Sequence, residues 1–363
     1  LIPFREAARR ANDELRSALL ARVVDARPDR PVDFSSNDYL GLSRHPALLA
    51  AMRAATSVGS GGSRLLGGAD AEHDRLERDL AQFLGRERVR LFSSGYLAVH
   101  GAIDTASRLV TCIRSDAENH ASAIDAIRLS GRSRSIYNGA VPTFQPEDDD
   151  TLVVTESLFS MSGRVVDLDA ILQSLRPGDA LLVDEAHAIG VLGRNGRGLA
   201  AGLADDRVVI VGTLSKAFGC VGGFVAGSGD FIELLTSTAR TFMFDTSLPP
   251  AIATAARAAL DLIANGDPLR ARLSERVALF WDAFGAAAPA SGAHIVSAIV
   301  GGSARSLEIA RTLRERGFFA PAIRPPTVPA GSERVRASLR ADHAEGDVRA
   351  FARALADVLE DGR

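Results

Sequence analysis

The chain of 363 residues is almost without lysine: of its 42 basic residues only Lys216 carries an amine, and the others are arginine. A chain of this length would ordinarily hold on the order of twenty lysines. A surface charge tolerates that exchange. A nucleophilic amine does not, because guanidinium stays protonated whereas an ε-amine can lose its proton and form a Schiff base. Lys216 either escaped by chance or is held by its chemistry. Cysteine is nearly as scarce, and Cys112 and Cys220 can make neither a disulfide framework nor a four-cysteine zinc site. No apolar run reaches the roughly 18 residues of a membrane span. No charge of one sign dominates: the net charge is −3 with both signs interspersed, so no electrostatic footprint for nucleic acid stands out. The amino end, LIPFREAARRANDELRSALLARVV, is amphipathic but lacks a signal-peptide core, and its acidic residues argue against a transit peptide. A soluble cytoplasmic protein is the expectation.

What is present describes an ordinary globular chain, 46% hydrophobic and 24% charged, long enough for two or three domains. Residues 1–30 read as a charged helix followed by a turn at Pro28–Pro31. Helix 46–57 and a glycine-rich stretch at Gly59–Gly68 come next. From there short β-branched runs at 88–93, 109–114, 151–155, 180–184, 207–212 and 222–226 alternate with helical periodicity at 70–84, 95–107, 118–130 and 166–175. That alternation predicts a mainly parallel sheet flanked by helices. After Leu248-Pro249-Pro250, helical stretches at 251–264 and 268–287 lead to strands near 294–300 and 334–339 and helices near 303–316 and 344–360. The reading is α/β with three parts: an amino-terminal arm (1–45), a large domain (46–250) and a smaller α+β carboxy-terminal domain (251–363). The acidic run Glu147–Asp150 reads as a solvated loop.

Several motifs fail. The VDEAH at 183–187 suggests a helicase box, but no G-x-x-x-x-G-K-[ST] phosphate loop accompanies it. Thr213 stands where an S-x-x-K enzyme needs serine. There is no G-x-S-x-G elbow, no G-x-G-x-x-G fingerprint and no H-E-x-x-H, so no metal site is expected.

One constellation survives. Open α/β sheets deliver functional side chains at the carboxyl ends of their strands. After 88–93 come Ser94, Gly95 and Tyr96; after 109–114 come Asp116, Glu118, Asn119 and His120. Asp184 and His187 follow 180–183, and Thr213, Ser215 and Lys216 follow 207–212. A pyridoxal phosphate site needs such a set: an amine for the aldehyde, a carboxylate for the pyridine nitrogen, a flat side chain for the ring face, and a helix N-terminus with hydroxyls for the phosphate. Each element alone has a bland reading: Asp184 as a helix cap, His120 as a structural histidine, Ser94-Gly95 as a common strand–helix turn.

SSNDYLGLS, GSGGSRLLGG, LFSSGY, NHAS, LVDEAHAIGVLGRNGRG, TLSKAFG, FDTSLPP and AIRPPTVPAGSERVRASL together resemble the α-oxoamine synthases, in family order from about residue 33 to residue 343. That resemblance implies the pyridoxal phosphate transferase fold type I and a homodimer. It implies that Lys216 binds the cofactor's aldehyde and later moves the substrate Cα proton. Asp184 would pair with the pyridine nitrogen, His187 bond the ring oxygen, His120 stack on the ring, and Ser160 lie near the phenolic oxygen. Gly95, Tyr96 and Thr213 would hold the phosphate, joined by Thr246 from the neighbouring subunit. Arg336 would hold the amino-acid carboxylate, with Arg16, Asn37, Arg324 and Thr327 also placed for substrates. The segment RPPTVPAGSERVR narrows the resemblance to members that join L-alanine to a pimeloyl thioester, on coenzyme A or an acyl-carrier protein. Glycine with acetyl, succinyl or longer acyl thioesters, serine with a fatty acyl donor, or an aminotransferase on the same fold stay open. Three positions depart from the pattern, Ser162, Ala188 and the Glu118 approach to His120, and they bear on acyl selectivity rather than chemistry.

Overall fold

The computed structural model describes residues 3–24, 32–139, 141–144, 150–289 and 291–360. The turn at Pro28–Pro31, and residues 147–149 of the acidic run Glu147–Asp150, lie outside the described residues.

The larger of two compact units comprises residues 37–274 and 340–342. Its seven strands are β1 (Arg88–Phe92), β2 (Cys112–Asp116), β3 (Ser133–Tyr137), β4 (Thr151–Glu156), β5 (Ala180–Asp184), β6 (Val208–Thr213) and β7 (Gly223–Gly227). They form one sheet in the order β1-β7-β6-β5-β4-β2-β3. Only β7 runs against the rest, being antiparallel to both β1 and β6. The inner strands β4, β6 and β7 are buried at every position, which is why they read as unbroken apolar runs rather than alternating ones. Helix Gly95–Ala106 turns Ala98, Val99, Ala102, Ile103 and Ala106 onto a core built from Ile113, Leu152, Val154, Leu182, Val209 and Val225. Each large aliphatic side chain so buried contributes about 1.5–3 kcal/mol.

Strand β3 and helix Gly229–Thr238 are among the elements that escaped the sequence reading. Strand β3 is an edge strand paired on one side only, and four of its five residues are exposed, so SRSIY carries no apolar signal. Helix Gly229–Thr238 lies just after β7, opened by the Ser228 side chain capping the Phe231 amide. The run expected at 109–114 becomes a strand only from Cys112, because Leu109 sits in a turn and is exposed. The helix expected from 118 starts at Ala121.

The second unit comprises residues 1–36, 275–339 and 343–363. Its antiparallel sheet is β8 (Ile295–Ile299), β9 (Ala322–Ile323) and β10 (Arg334–Ser338), in the order β9-β10-β8. Helices Ser303–Glu315 and Glu345–Glu360 belong to it. This division differs from the three-part reading. The base of the arm is part of this unit, because Phe34 is fully buried and stacks on Phe351 at 4.0 Å. Val32–Asp33 also pairs in parallel with Phe318–Phe319. Residues 251–274 group with the larger unit instead. Helix Phe4–Ser17 has no buried residue. Among the described residues, no helix is long and apolar enough to cross a membrane.

Candidate active site

The carboxyl ends of β4, β5 and β6 meet at one cavity of about 290 Å³ in the larger unit. Asp184 ends β5, and its Oδ1 accepts the Ala186 amide at 2.9 Å, which starts the tight turn that brings His187 round to the same wall. Thr213 ends β6. Its Oγ1 donates to the Gly222 carbonyl at 2.9 Å and accepts the Ser215 amide at 3.2 Å, so the backbone bends and Lys216 follows into the cavity. Lys216 Nζ lies 2.8 Å from His187 Nε2, and His187 Nδ1 lies 2.6 Å from the Tyr39 hydroxyl.

His120 reaches the opposite wall through a pinned loop. Asn119, buried after β2, donates through Nδ2 to Ser115 Oγ at 2.9 Å and to the Val154 carbonyl at 2.8 Å. His120 then caps helix Ala121–Ser130, its Nδ1 accepting the Ser122 amide at 3.3 Å. Removal from water along the cavity wall holds its imidazole below the ordinary histidine value. The Asp184 charge opposes that shift, and the Lys216 charge reinforces it.

The far end of the cavity is a helix start. Ser94 Oγ accepts the Leu97 amide at 3.2 Å and opens helix Gly95–Ala106, whose first turn lines the cavity. A Cβ on Gly95 would meet Thr213 Oγ1 at 3.1 Å. One on Gly223 would sit 2.5 Å from the Ser94 carbonyl oxygen, so β7 can pass this turn only as glycine. Free amides at a helix N-terminus, with the hydroxyls of Thr213 and Ser215 beside them, make an anion cradle.

Glu156, which sequence reasoning missed, closes the floor. It ends β4 in register with Asp184 of β5 and lines the cavity. Its Oε2 accepts the Ser160 amide at 3.3 Å, and its Oε1 is buried without a partner. Burial, then the neighbouring Asp184 charge, push its carboxyl up to about 8, against the pull of Lys216 and of the Ser160 and His120 amides. Two adjacent carboxylates cannot both ionise cheaply in a dry site. The signal was present: TLVVTE, like ALLVD, is an apolar run that ends on an acid.

Of the residues singled out from the sequence, Gly95, Tyr96, His120, Asp184, His187, Thr213 and Lys216 all line this cavity. Ser160 does not line it, but its amide bonds Glu156, which does. Thr246 is exposed on the loop before helix Pro250–Ala264 and is not part of its own chain's cavity. Asn37 joins the set indirectly, its Oδ1 accepting the Tyr39 hydroxyl at 3.0 Å. The other four belong to the smaller unit. Arg336 is buried on β10. Arg324 is buried and donates to the Leu19 and Ala21 carbonyls of the arm. Thr327 is exposed, and Arg16 lies on the exposed helix, paired with Asp13 at 2.9 Å. Among the described residues, no group of three or more histidines, cysteines or acids could hold a metal ion.

The family model for class I and II aminotransferases matches residues 29–355. An 8-amino-7-oxononanoate synthase of Stutzerimonas stutzeri (strain A1501) is 42% identical, over 97% of this chain and 95% of the relative. The chain belongs to the class I and II aminotransferase family. Within the family its likeness runs to the α-oxoamine synthases. The serine palmitoyltransferase of Sphingomonas wittichii superimposes with a TM-score of 0.89 at 26% identity, covering 99% of each chain. An 8-amino-7-oxononanoate synthase from Francisella tularensis superimposes with a TM-score of 0.78 at 27% identity, covering 92% of this chain and 99% of that one. The cavity suits the cofactor of this aminotransferase family, pyridoxal phosphate: one amine, carboxylates at two neighbouring strand ends, the imidazole of His120 on the wall, and an anion cradle that a Cβ at Gly95 would crowd.

Proposed function

We propose that this chain joins L-alanine to a pimeloyl thioester with loss of carbon dioxide, forming 8-amino-7-oxononanoate for biotin assembly in the cytoplasm. The observation that carries the reading is Lys216 Nζ set 2.8 Å from His187 Nε2 in the cavity that Asp184 closes. The 42% identity to a synthase of that name supports the substrates. Bound pyridoxal phosphate supplies an electron sink for negative charge at the amino acid's Cα.

The chain's own groups do the rest. Lys216 would hold the cofactor aldehyde, and its Nζ would take up the Cα proton of alanine. Asp184 would keep the pyridine nitrogen protonated, and His187 would bond the ring oxygen. His120 would cover the ring face, and Ser160, whose amide bonds Glu156, would steady the phenolic side. The amides of Gly95 and Tyr96 and the Thr213 hydroxyl bind the phosphate. Arg336 holds the alanine carboxylate bidentately, as a guanidinium fork can, and Arg16, Asn37, Arg324 and Thr327 serve the substrates. Cα bonds to the thioester carbonyl carbon as the thiol leaves. The carboxylate then departs as carbon dioxide, and a proton returns to Cα.

A homodimer completes the site, with Thr246 reaching the phosphate of the neighbouring copy. Leu65, Leu66 and Phe244 support it, being 50%, 80% and 67% exposed on segments joined by Ser247, which bonds the Gly62 and Gly68 carbonyls. A monomer rarely leaves such side chains bare together.

Thiol and carbon dioxide release, measured with L-alanine and pimeloyl-coenzyme A or pimeloyl carrier protein, tests the reading. The higher TM-score to a serine palmitoyltransferase favours one rival, condensation of serine with a fatty acyl thioester. Turnover of serine and palmitoyl-coenzyme A with none of alanine would establish that rival.

A further inference from the structure

His73 is fully buried in the first turn of helix Ala71–Leu84 and does not line the candidate cavity. Both of its ring nitrogens meet backbone groups, whose polarity is fixed. The Asp70 amide donates to Nδ1 at 3.1 Å, so Nδ1 carries a lone pair. Nε2 faces the Leu248 carbonyl oxygen, which can only accept, so Nε2 carries the proton. An imidazolium would turn an Nδ1–H against the Asp70 N–H, and burial also holds this ring below the ordinary histidine value. His73 is therefore neutral with one donor, and that donor serves Leu248.

Leu248 ends a loop, residues 245–248, that carries Thr246 between two anchors. On one side the Asp245 carboxylate accepts the hydroxyl of Ser93, which stands between β1 and helix Gly95–Ala106. On the other the Leu248 carbonyl accepts from His73 at the start of its helix. Further bonds run to the glycine-rich stretch: the Ser60 hydroxyl donates to the Ser247 carbonyl at 2.8 Å, and the Ser247 amide donates to the Gly62 carbonyl at 3.0 Å. Gly59–Gly68 holds no helix or strand, so these bonds join one loop to another.

We infer that His73 is a positioning residue that pins the loop 245–248 through the Leu248 carbonyl and so fixes where Thr246 stands. The pin is a property of one chain. Its consequence for the cofactor rests on the proposed homodimer, in which Thr246 reaches the phosphate of the neighbouring copy.

Two substitutions separate the two bonds of the ring. His73→Gln sets an amide N–H near the place of Nε2, keeping the donor to Leu248 and losing the acceptor for Asp70. His73→Asn keeps an acceptor near the place of Nδ1 and is too short to reach Leu248. Amide hydrogen exchange of the full chain is read at residues 245–248, with β6 as the reference. It becomes about tenfold faster in His73→Asn and keeps its rate in His73→Gln. Faster exchange in His73→Gln alone, an equal rise in both variants, or none in either overturns the inference, since a residue that only caps its helix would act through the Asp70 bond. Should His73→Asn not fold, ring-15N spectra of the unmodified protein decide, the His73 signals being assigned by their absence from His73→Gln. A proton on Nε2 supports the pin, and a proton on Nδ1 overturns it. Affinity for pyridoxal phosphate falls about tenfold in His73→Asn and holds in His73→Gln. Unchanged affinity in a dimeric His73→Asn with faster exchange overturns the phosphate role of Thr246 and leaves the pin. A monomeric unmodified chain in sedimentation overturns the homodimer reading, and the exchange result stands apart from it.

Discussion

The two compact units present their candidate groups in different ways. In the larger one, the groups stand at the ends of neighbouring parallel strands, so backbone register alone brings them together; Glu156 opposite Asp184 is the plainest case. In the smaller one, each arginine is held by its own surroundings. Arg324 is tied to carbonyls of the arm, Arg336 is buried on β10, and Arg16 rides an exposed helix. A parallel sheet concentrates chemistry at one edge, whereas substrate anchors can be scattered, because each needs only one strong bond.

Substitutions in the two units should therefore fail differently. The largest effect is expected from Lys216→Arg, which abolishes turnover and borohydride labelling while circular dichroism shows an unchanged fold, since guanidinium cannot form the Schiff base. Arg336→Ala should lower kcat/KM for alanine by about 10- to 100-fold, the worth of one charge-assisted pair, and leave cofactor absorbance intact. Were absorbance lost as well, the separation of roles would collapse. Gly223→Ala should destabilise the chain by about 1–3 kcal/mol in denaturant titrations, because the new methyl meets backbone that cannot retreat.

The smallest effect concerns pH. The Glu156 carboxyl titrates at about 8 in the fold against an ordinary 4.5, so the folded state binds its proton more tightly than the unfolded state does. Its contribution to stability is present below 4.5 and is lost as pH rises through about 8. Glu185, also buried and raised to about 7, acts in the same sense over a narrower window. Glu156→Gln should flatten the fall of the melting temperature across that range, leaving the Glu185 part. An unchanged profile would mean that Glu156 is ionised in the fold.

Much of the fold was legible because buried parallel strands must be largely apolar, and β4, β5 and β6 announce themselves in the sequence. Strand β3 was silent because an edge strand owes its place to backbone pairing, which leaves no mark on exposed side chains. Nothing local tells that Phe34, at the base of the arm, stacks on Phe351, more than three hundred residues away. At the site, the amine, the carboxylate and both histidines could be found because each follows a strand. Tyr39 could not be tied to them, since it reaches His187 only across the tertiary fold.

By itself, then, the sequence determined which side chains could do chemistry: a single amine among 42 basic residues, and acids and imidazoles placed after apolar runs. Those properties are covalent or local, and a linear reading reaches them. Only the tertiary structure decided which proton each group holds. Burial, and then Asp184 one strand spacing away, push the Glu156 carboxyl up to about 8, and His187 has Tyr39 and Lys216 at its two nitrogens. Proton positions depend on distance and on removal from water, and both exist only once the chain has folded.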